Sequence, residues 1–358
     1  MNLQIQQISI HPLQAPLTQT FRIAIGQHDN LDNLLIRLQL ADGTVGYGEA
    51  AIASHITGET VENTKENLLI AAKCLKGHNV SDYLRISHWL HGSFSKNKAT
   101  VASMEMAMMD ALTRQMDIPL WKMFGPCAQR LRTDITIVIA PLEETQSKAR
   151  EFYQRGFRSF KIKVGRDMDL DFKRVQVVAK LAPKSQIILD ANQGYGSDQT
   201  LKFLKTLDKA HIKIDLVEQP VAKEDIDGLK RVTRLSKVPV CADESASSIP
   251  DVIRLIKAKA VGAINIKLMK TGVVHSFEIA RLARANNIKL MIGGMMESNV
   301  AMTAAAHLAA GLGYFDFVDL DTPFFIKGEV GQNPYLTSSG TYDLAKVKTG
   351  IGIKPSHP

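Results

Sequence analysis

Cysteine is scarce in this 358-residue chain, which has three: Cys74, Cys127 and Cys241. They lie too far apart for a metal-binding spacing, and their odd number argues against a disulfide framework. A reducing, cytoplasmic setting is expected. No apolar run reaches membrane-spanning length. The nearest, residues 299–313, is short and alternates small residues in a helical pattern. The opening MNLQIQQISI has neither a basic start nor a continuous apolar region, so no signal peptide is expected. Negative charge is the minority sign, with 36 Asp and Glu against 44 Lys and Arg and a formal net charge of +8. The basic residues are dispersed along helical stretches, which argues against nucleic acid as a partner. A solvated basic surface suited to small anions is the simpler account. Neither a membrane nor a nucleic acid is an expected partner.

What is present is a repeat. From about Thr133 onward a short β-rich run, a polar turn and an amphipathic helix follow one another. The strand candidates are 134–140, 159–165, 186–192, 214–220, 238–244, 264–270, 289–294 and 315–321. Helical patterns such as ETQSKAREFYQRG and FEIARLARANN lie between them. Eight strands alternating with seven helices predict an α/β fold, a modified (β/α)7β TIM-like barrel over residues 126–327. The nearly continuous apolar character of the strands fits burial on both faces. An open doubly wound sheet competes, but no Gly-rich nucleotide turn follows the first strand. Residues 1–125 read differently. They carry antiparallel strand patterns around an Asp42-Gly43 turn, then a Met-rich helix expected to be plain core. This predicts an N-terminal α+β capping domain, completed by the tail 328–358.

Catalytic groups of a parallel barrel sit at the C-terminal ends of its strands. Those ends supply Lys161 and Lys163, then Asp190 and Asn192, Glu218, Asp243 with Glu244, Lys267 with Lys270, Glu297-Ser298, and finally Asp319 and Asp321. Three carboxylates at successive strand ends repel one another unless a positive charge sits between them, and a hard divalent cation is the simplest solution. Lys161 and Lys163 share one face by the period of two, and Lys267 approaches from nearly the opposite side. A cation flanked by two lysines suits removal of a proton α to a carboxylate, with return from the other face inverting the stereocentre. Taken singly, each residue has a blander account: a strand-end carboxylate is usually a cap, and a lone strand lysine snorkels to solvent. The ordered set resists that account. His88, His91, His211 and His307 share no ligand spacing, and His307 is expected to pack a helix. The KTGV turn after Lys270 has the look of an anion cradle.

The runs KIKVG, ILDANQGY, VEQP, ADES, INIKLMKTG and the late DLD resemble the enolase superfamily, in its muconate-lactonizing subgroup. The resemblance covers nearly the whole chain. It implies one Mg2+ per subunit on Asp190, Glu218 and Asp243, acid/base roles for Lys163 and Lys267, and a substrate-carboxylate contact for Lys161. The Asp319–Asp321 pair is similar to that of the dipeptide epimerases, where it binds the substrate's α-ammonium group. The resemblance also implies substrate contacts for Thr136 and Ser298, a homo-oligomer, and an L-Ala-D/L-Glu substrate of the kind met in peptidoglycan recycling. One departure stands out. The first-domain loop reads TQTFRIAIGQHDN, with Gly26 near the place of a glutamate-binding arginine. Arg22 is the nearest cation, and its orientation decides whether an acidic second residue suits the site. Rivals within the superfamily are an N-succinylamino acid racemase, an o-succinylbenzoate synthase and a muconate cycloisomerase. A rival outside it is a non-catalytic small-molecule binder, which would need neither Lys163 nor Lys267.

Overall fold

The computed structural model describes residues 2–24, 26–125 and 127–355. The expected boundary at Pro126 and the last three residues of the tail lie outside these. The chain opens with three antiparallel strands in the order β1 (Ile5–Ile23), β2 (Gly26–Leu40) and β3 (Val45–Ala50). The Asp42-Gly43 turn joins the last two. The Asp42 side chain accepts from Thr44 N at 3.0 Å, and Gly43 takes the positive φ of 91° that the turn requires. The helix Lys98–Gln115 lies directly on β3. Its close approach depends on two glycines: a Cβ would fall 2.2 Å from Ala107 O at Gly46 and 2.0 Å from Ser103 O at Gly48. Its methionines 104, 106, 108 and 109 are buried, as expected of plain core.

A short strand β4 (Arg130–Arg132) leads into eight parallel strands. These are β5 (Ile135–Ile137), β6 (Ser159–Lys163), β7 (Gln186–Asp190), β8 (Leu216–Glu218), β9 (Val240–Ala242), β10 (Ala263–Lys267), β11 (Lys289–Gly293) and β12 (Phe317–Val318). They pair in sequence order. The two edges meet where Asp134 N donates to Val318 O at 2.8 Å and Leu320 N donates to Thr133 Oγ1 at 2.8 Å. Among the described residues the seam is thus made of one backbone bond and side-chain bonds. The strands are shorter than their apolar patterns. Asn192, Gln193 and Gln219 adopt positive φ just past β7 and β8 and turn the chain away. Lys270 was expected on the sixth barrel strand and lies instead in the helix Leu268–Ala285, which begins directly after β10.

Period-two alternation builds the barrel interior. Ile188, Leu216, Cys241, Ala263, Met291 and Phe317 form an enclosed apolar plug. Two residues further along the same strands stand Asp190, Glu218, Asp243, Asn265, Gly293 and Asp319. One inward row therefore supplies first the plug that excludes water and then the polar mouth above it. The outward row, including Ile187, Leu189, Val217, Ile264 and Ile292, packs in the main core of the molecule. The tail returns to the beginning. β13 (Thr341–Asp343) pairs with β4. Beyond it, Ile351 N donates to Asp110 Oδ1 at 2.7 Å and Arg114 donates to Ile353 O at 2.8 Å. Among the described residues no helix is long and apolar enough to cross a membrane.

Candidate active site

The mouth collects four ammonium groups among four carboxylates. Lys161 Nζ lies 2.9 Å from Asp190 Oδ2, 2.9 Å from Glu218 Oε2 and 2.7 Å from Asp319 Oδ2. Lys163 Nζ lies 2.7 Å from the same Asp190 oxygen and donates to Asn192 Oδ1 at 3.1 Å. Across the mouth, Lys267 Nζ pairs with Asp243 Oδ2 at 2.8 Å and Lys270 Nζ with Asp243 Oδ1 at 2.7 Å. All of these side chains are buried. Burial opposes charge here, and at Lys161, Lys267, Asp190 and Asp243 the partners outweigh it. Lys161 is raised well above its ordinary range by Asp190, Asp319 and Glu218, and Lys267 is raised by Asp243. Asp190 and Asp243 are lowered by the lysines they touch. Glu218 goes the other way: burial, then the charge of Asp190, raise it.

The expected metal ligands are brought to one place but joined through ammonium groups. Lys161 bridges Asp190 and Glu218, while Lys267 and Lys270 hold Asp243. The acidic trio with oxygens within 4.8 Å of one another, among the described residues, is a different one: Asp134, Asp319 and Asp321. Even so, Asp190, Glu218 and Asp243 present a set of hard oxygen donors that suits Mg2+. Glu218 Oε2 is a buried oxygen that touches Lys161 without accepting a hydrogen bond. Asn265 donates to the other oxygen at 2.7 Å and aims the carboxylate into the mouth. The reading of strand ends missed Asn265 because it stands one period below Lys267. Its signal was a lone amide inside an apolar strand.

The cavity above these groups is lined by Thr136, Lys161, Lys163, Lys267, Asp319 and Asp321 on its polar side. Thr136 N donates to Asp321 Oδ2 at 2.6 Å, which ties the first strand to the last at the rim. Phe21, Ile23, Ala53, Met295 and Met296 form its apolar side. Two expected residues are not brought there. Arg22 sits between Phe21 and Ile23, and the alternation of the strand turns it to the opposite face. Ser298 caps the helix Asn299–Leu312 and bonds Glu49, with Oγ to Glu49 Oε2 at 2.5 Å and N to Glu49 Oε1 at 2.8 Å. Its hydroxyl is occupied in joining the N-terminal sheet to the barrel. The KTGV turn does cradle an anion, the chain's own Glu105, which accepts from Val273 N and Val274 N. His307 packs as expected, buried between Trp121 N and Ile351 O.

Lysines and carboxylates gathered at the C-terminal mouth of an eight-stranded α/β barrel, under an antiparallel cap, define a class of barrel enzyme. The chain belongs to the mandelate racemase/muconate lactonizing enzyme family of the enolase superfamily. Residues 6–125 match that family's N-terminal domain and residues 144–358 the enolase C-terminal domain-like family. A hydrophobic dipeptide epimerase from Citrifermentans bemidjiense is 48% identical, with 99% of each chain covered. An aromatic dipeptide epimerase from Herpetosiphon aurantiacus is 38% identical, again over 99% of each chain. The solved structure of a dipeptide epimerase from Enterococcus faecalis, complexed with Mg and the dipeptide L-Leu-L-Tyr, is similar at a TM-score of 0.93. It is 30% identical and covers 98% of this chain and all of its own.

Proposed function

We propose that this protein is a dipeptide epimerase that inverts the Cα of the C-terminal residue of a dipeptide with a free amino terminus. The observation that carries the reading is the placement of Lys163 and Lys267. They stand on β6 and β10, on opposite sides of one cavity, with Asp319 and Asp321 at its third side. A substrate held between the lysines presents opposite faces of its Cα to them. Lys163 takes the α-proton from one face. Lys267, held protonated beside Asp243, returns a proton to the other, and the roles exchange for the opposite epimer. Lys161 meets the substrate carboxylate from below. Asp319 and Asp321 accept from the α-ammonium group, and N-acylated amino acids lack that cation. Asp190, Glu218 and Asp243 would hold Mg2+, whose chemistry when bound is to stabilise the negative charge that builds on the substrate carboxylate.

The second side chain of the substrate faces Phe21, Ile23, Met295 and Met296 in this reading. An apolar wall suits a hydrophobic residue in preference to glutamate, and Arg22 lies on the other face of its strand. The C. bemidjiense relative, named for hydrophobic dipeptides, supports the same preference. The test is incubation of dipeptide mixtures in D2O with the Mg2+-loaded enzyme, read by mass spectrometry. L-Ala paired with Leu, Phe or Tyr should gain a deuteron at Cα, and faster than L-Ala-L-Glu. Deuteration of N-succinylamino acids in place of dipeptides would overturn the reading in favour of a racemase.

A further inference from the structure

Asp134 immediately precedes β5 and lies on the same face as Thr136, one period deeper in the barrel. It is fully buried, and neither of its carboxyl oxygens has a hydrogen-bond partner. Its neighbours are acidic. The oxygens of Asp134, Asp319 and Asp321 lie within 4.8 Å of one another, and Asp319 is in hydrogen-bonding reach. Thr136 N satisfies Asp321, and Lys161 satisfies Asp319. Among the described residues no donor reaches Asp134. The backbone beneath it is held, because Asp134 N is bonded to Val318 O across the seam. Two carboxylates facing each other in a buried site cannot both stay charged, so a proton between them resolves the contact. Burial, then the charges of Asp319 and Asp321, push the Asp134 carboxyl well above its ordinary range.

We propose that Asp134 is a positioning residue for the ammonium site: as a neutral carboxylic acid it donates to Asp319 and holds that carboxylate aimed upward into the cavity. Asp134 itself does not line the cavity. Asp319 is then fixed from two directions, by Lys161 beside it and Asp134 beneath it. The inference rests on the dipeptide reading for its consequence, the capture of a free amino terminus.

The test compares Asp134→Leu, which fills the space without a donor, with Asp134→Asn, whose amide donates in the same direction. For a free-amino dipeptide the leucine variant should show a KM raised by about tenfold or more, the loss expected of one charge-assisted hydrogen bond. Its kcat should change much less, and the asparagine variant should recover most of the loss. An unchanged KM in the leucine variant overturns the proposal, as does an asparagine variant equally impaired. If the leucine variant does not fold, infrared difference spectroscopy of wild type against Asp134→Asn decides. Wild type should show the carbonyl stretch of a buried carboxylic acid that the variant lacks, and its absence overturns the proposal. That band needs no substrate, so it is read even if no dipeptide is turned over. Failure of turnover would overturn the dipeptide reading alone.

Discussion

A Cβ on Gly272 would lie 2.5 Å from the Glu105 carboxylate. Gly272 interrupts the helix Leu268–Ala285 at φ 70°, and the two amides after it donate to Glu105 Oε2 at 2.6 and 3.0 Å. Glu105 comes from the long helix of the N-terminal cap, so this contact pins the cap to the barrel. Gly272→Ala should lower stability by roughly 2 kcal/mol or more, from the strained φ plus the clash. In a Glu105→Ala background the clash disappears and only the φ term remains. Thermal or urea unfolding of the four proteins in the cycle measures the difference. Equal losses in both backgrounds would rule out the contact as the cause.

Acid stability should carry the signature of one buried histidine. Trp121 N donates to His307 Nδ1 at 3.0 Å, so the ring is neutral, with Nε2–H facing Ile351 O. Burial lowers its pKa to about 3, against about 6.5 in the unfolded chain. The unfolded state therefore binds the extra proton between those values. This contribution to stability is fully present above about pH 6.5 and is lost as pH falls toward 3. His307→Asn should be less stable at neutral pH. Its dependence on pH across that window should be flatter by up to about 1.4 kcal/mol per pH unit. Urea unfolding at several pH values gives both slopes, and parallel slopes would contradict the assignment.

Lys270 should matter for metal affinity although it does not line the cavity. Its Nζ donates to Asp243 Oδ1 at 2.7 Å, Asp243 O at 2.6 Å and Asn265 O at 2.9 Å. Lys270→Met removes a donor from two buried carbonyls and leaves Asp243 Oδ1 without its donor. The Mg2+ concentration for half-maximal activity should rise by about 10- to 100-fold, as when an outer partner of a ligand is lost. Titration calorimetry with Mg2+ measures it directly. An unchanged affinity would leave Lys270 a purely structural residue.

The mouth was legible because strand alternation carries plug and site on one row. Once Ile188, Leu216 and Cys241 are read as inward, Asp190, Glu218 and Asp243 follow two residues later. The errors have equally local causes. Arg22 could not be assigned a face, since the pairing of β1 with β2 slips between Pro16 and Phe21 and resets the alternation. Ser298 was claimed by Glu49, a partner 249 positions away that no strand pattern announces. Lys270 falls in a helix because the chain turns directly after Lys267 without a loop. Asp134 lies at the start of its strand, and a reading of strand ends passes over it.

The two lysines allow the sharpest test. Lys163 and Lys267 stand on strands separated by three others, each paired to a different carboxylate, Asp190 and Asp243. If each serves one epimer, Lys163→Ala and Lys267→Ala should both abolish epimerisation. The loss in rate should reach about 100- to 10,000-fold, the range of a general acid or base. The surviving lysine can still meet one epimer, so one variant should exchange the α-proton of the L,L-dipeptide with D2O and the other that of the L,D-dipeptide. The blander account makes both lysines counterions that keep the carboxylates from repelling one another. It predicts that each substitution weakens Mg2+ binding and folding alike and slows exchange of both epimers equally. Single-epimer exchange measured by proton NMR at saturating Mg2+ separates the two. Complementary patterns in the two variants require two opposed bases, whereas equal residual exchange of both epimers in either variant would exclude them.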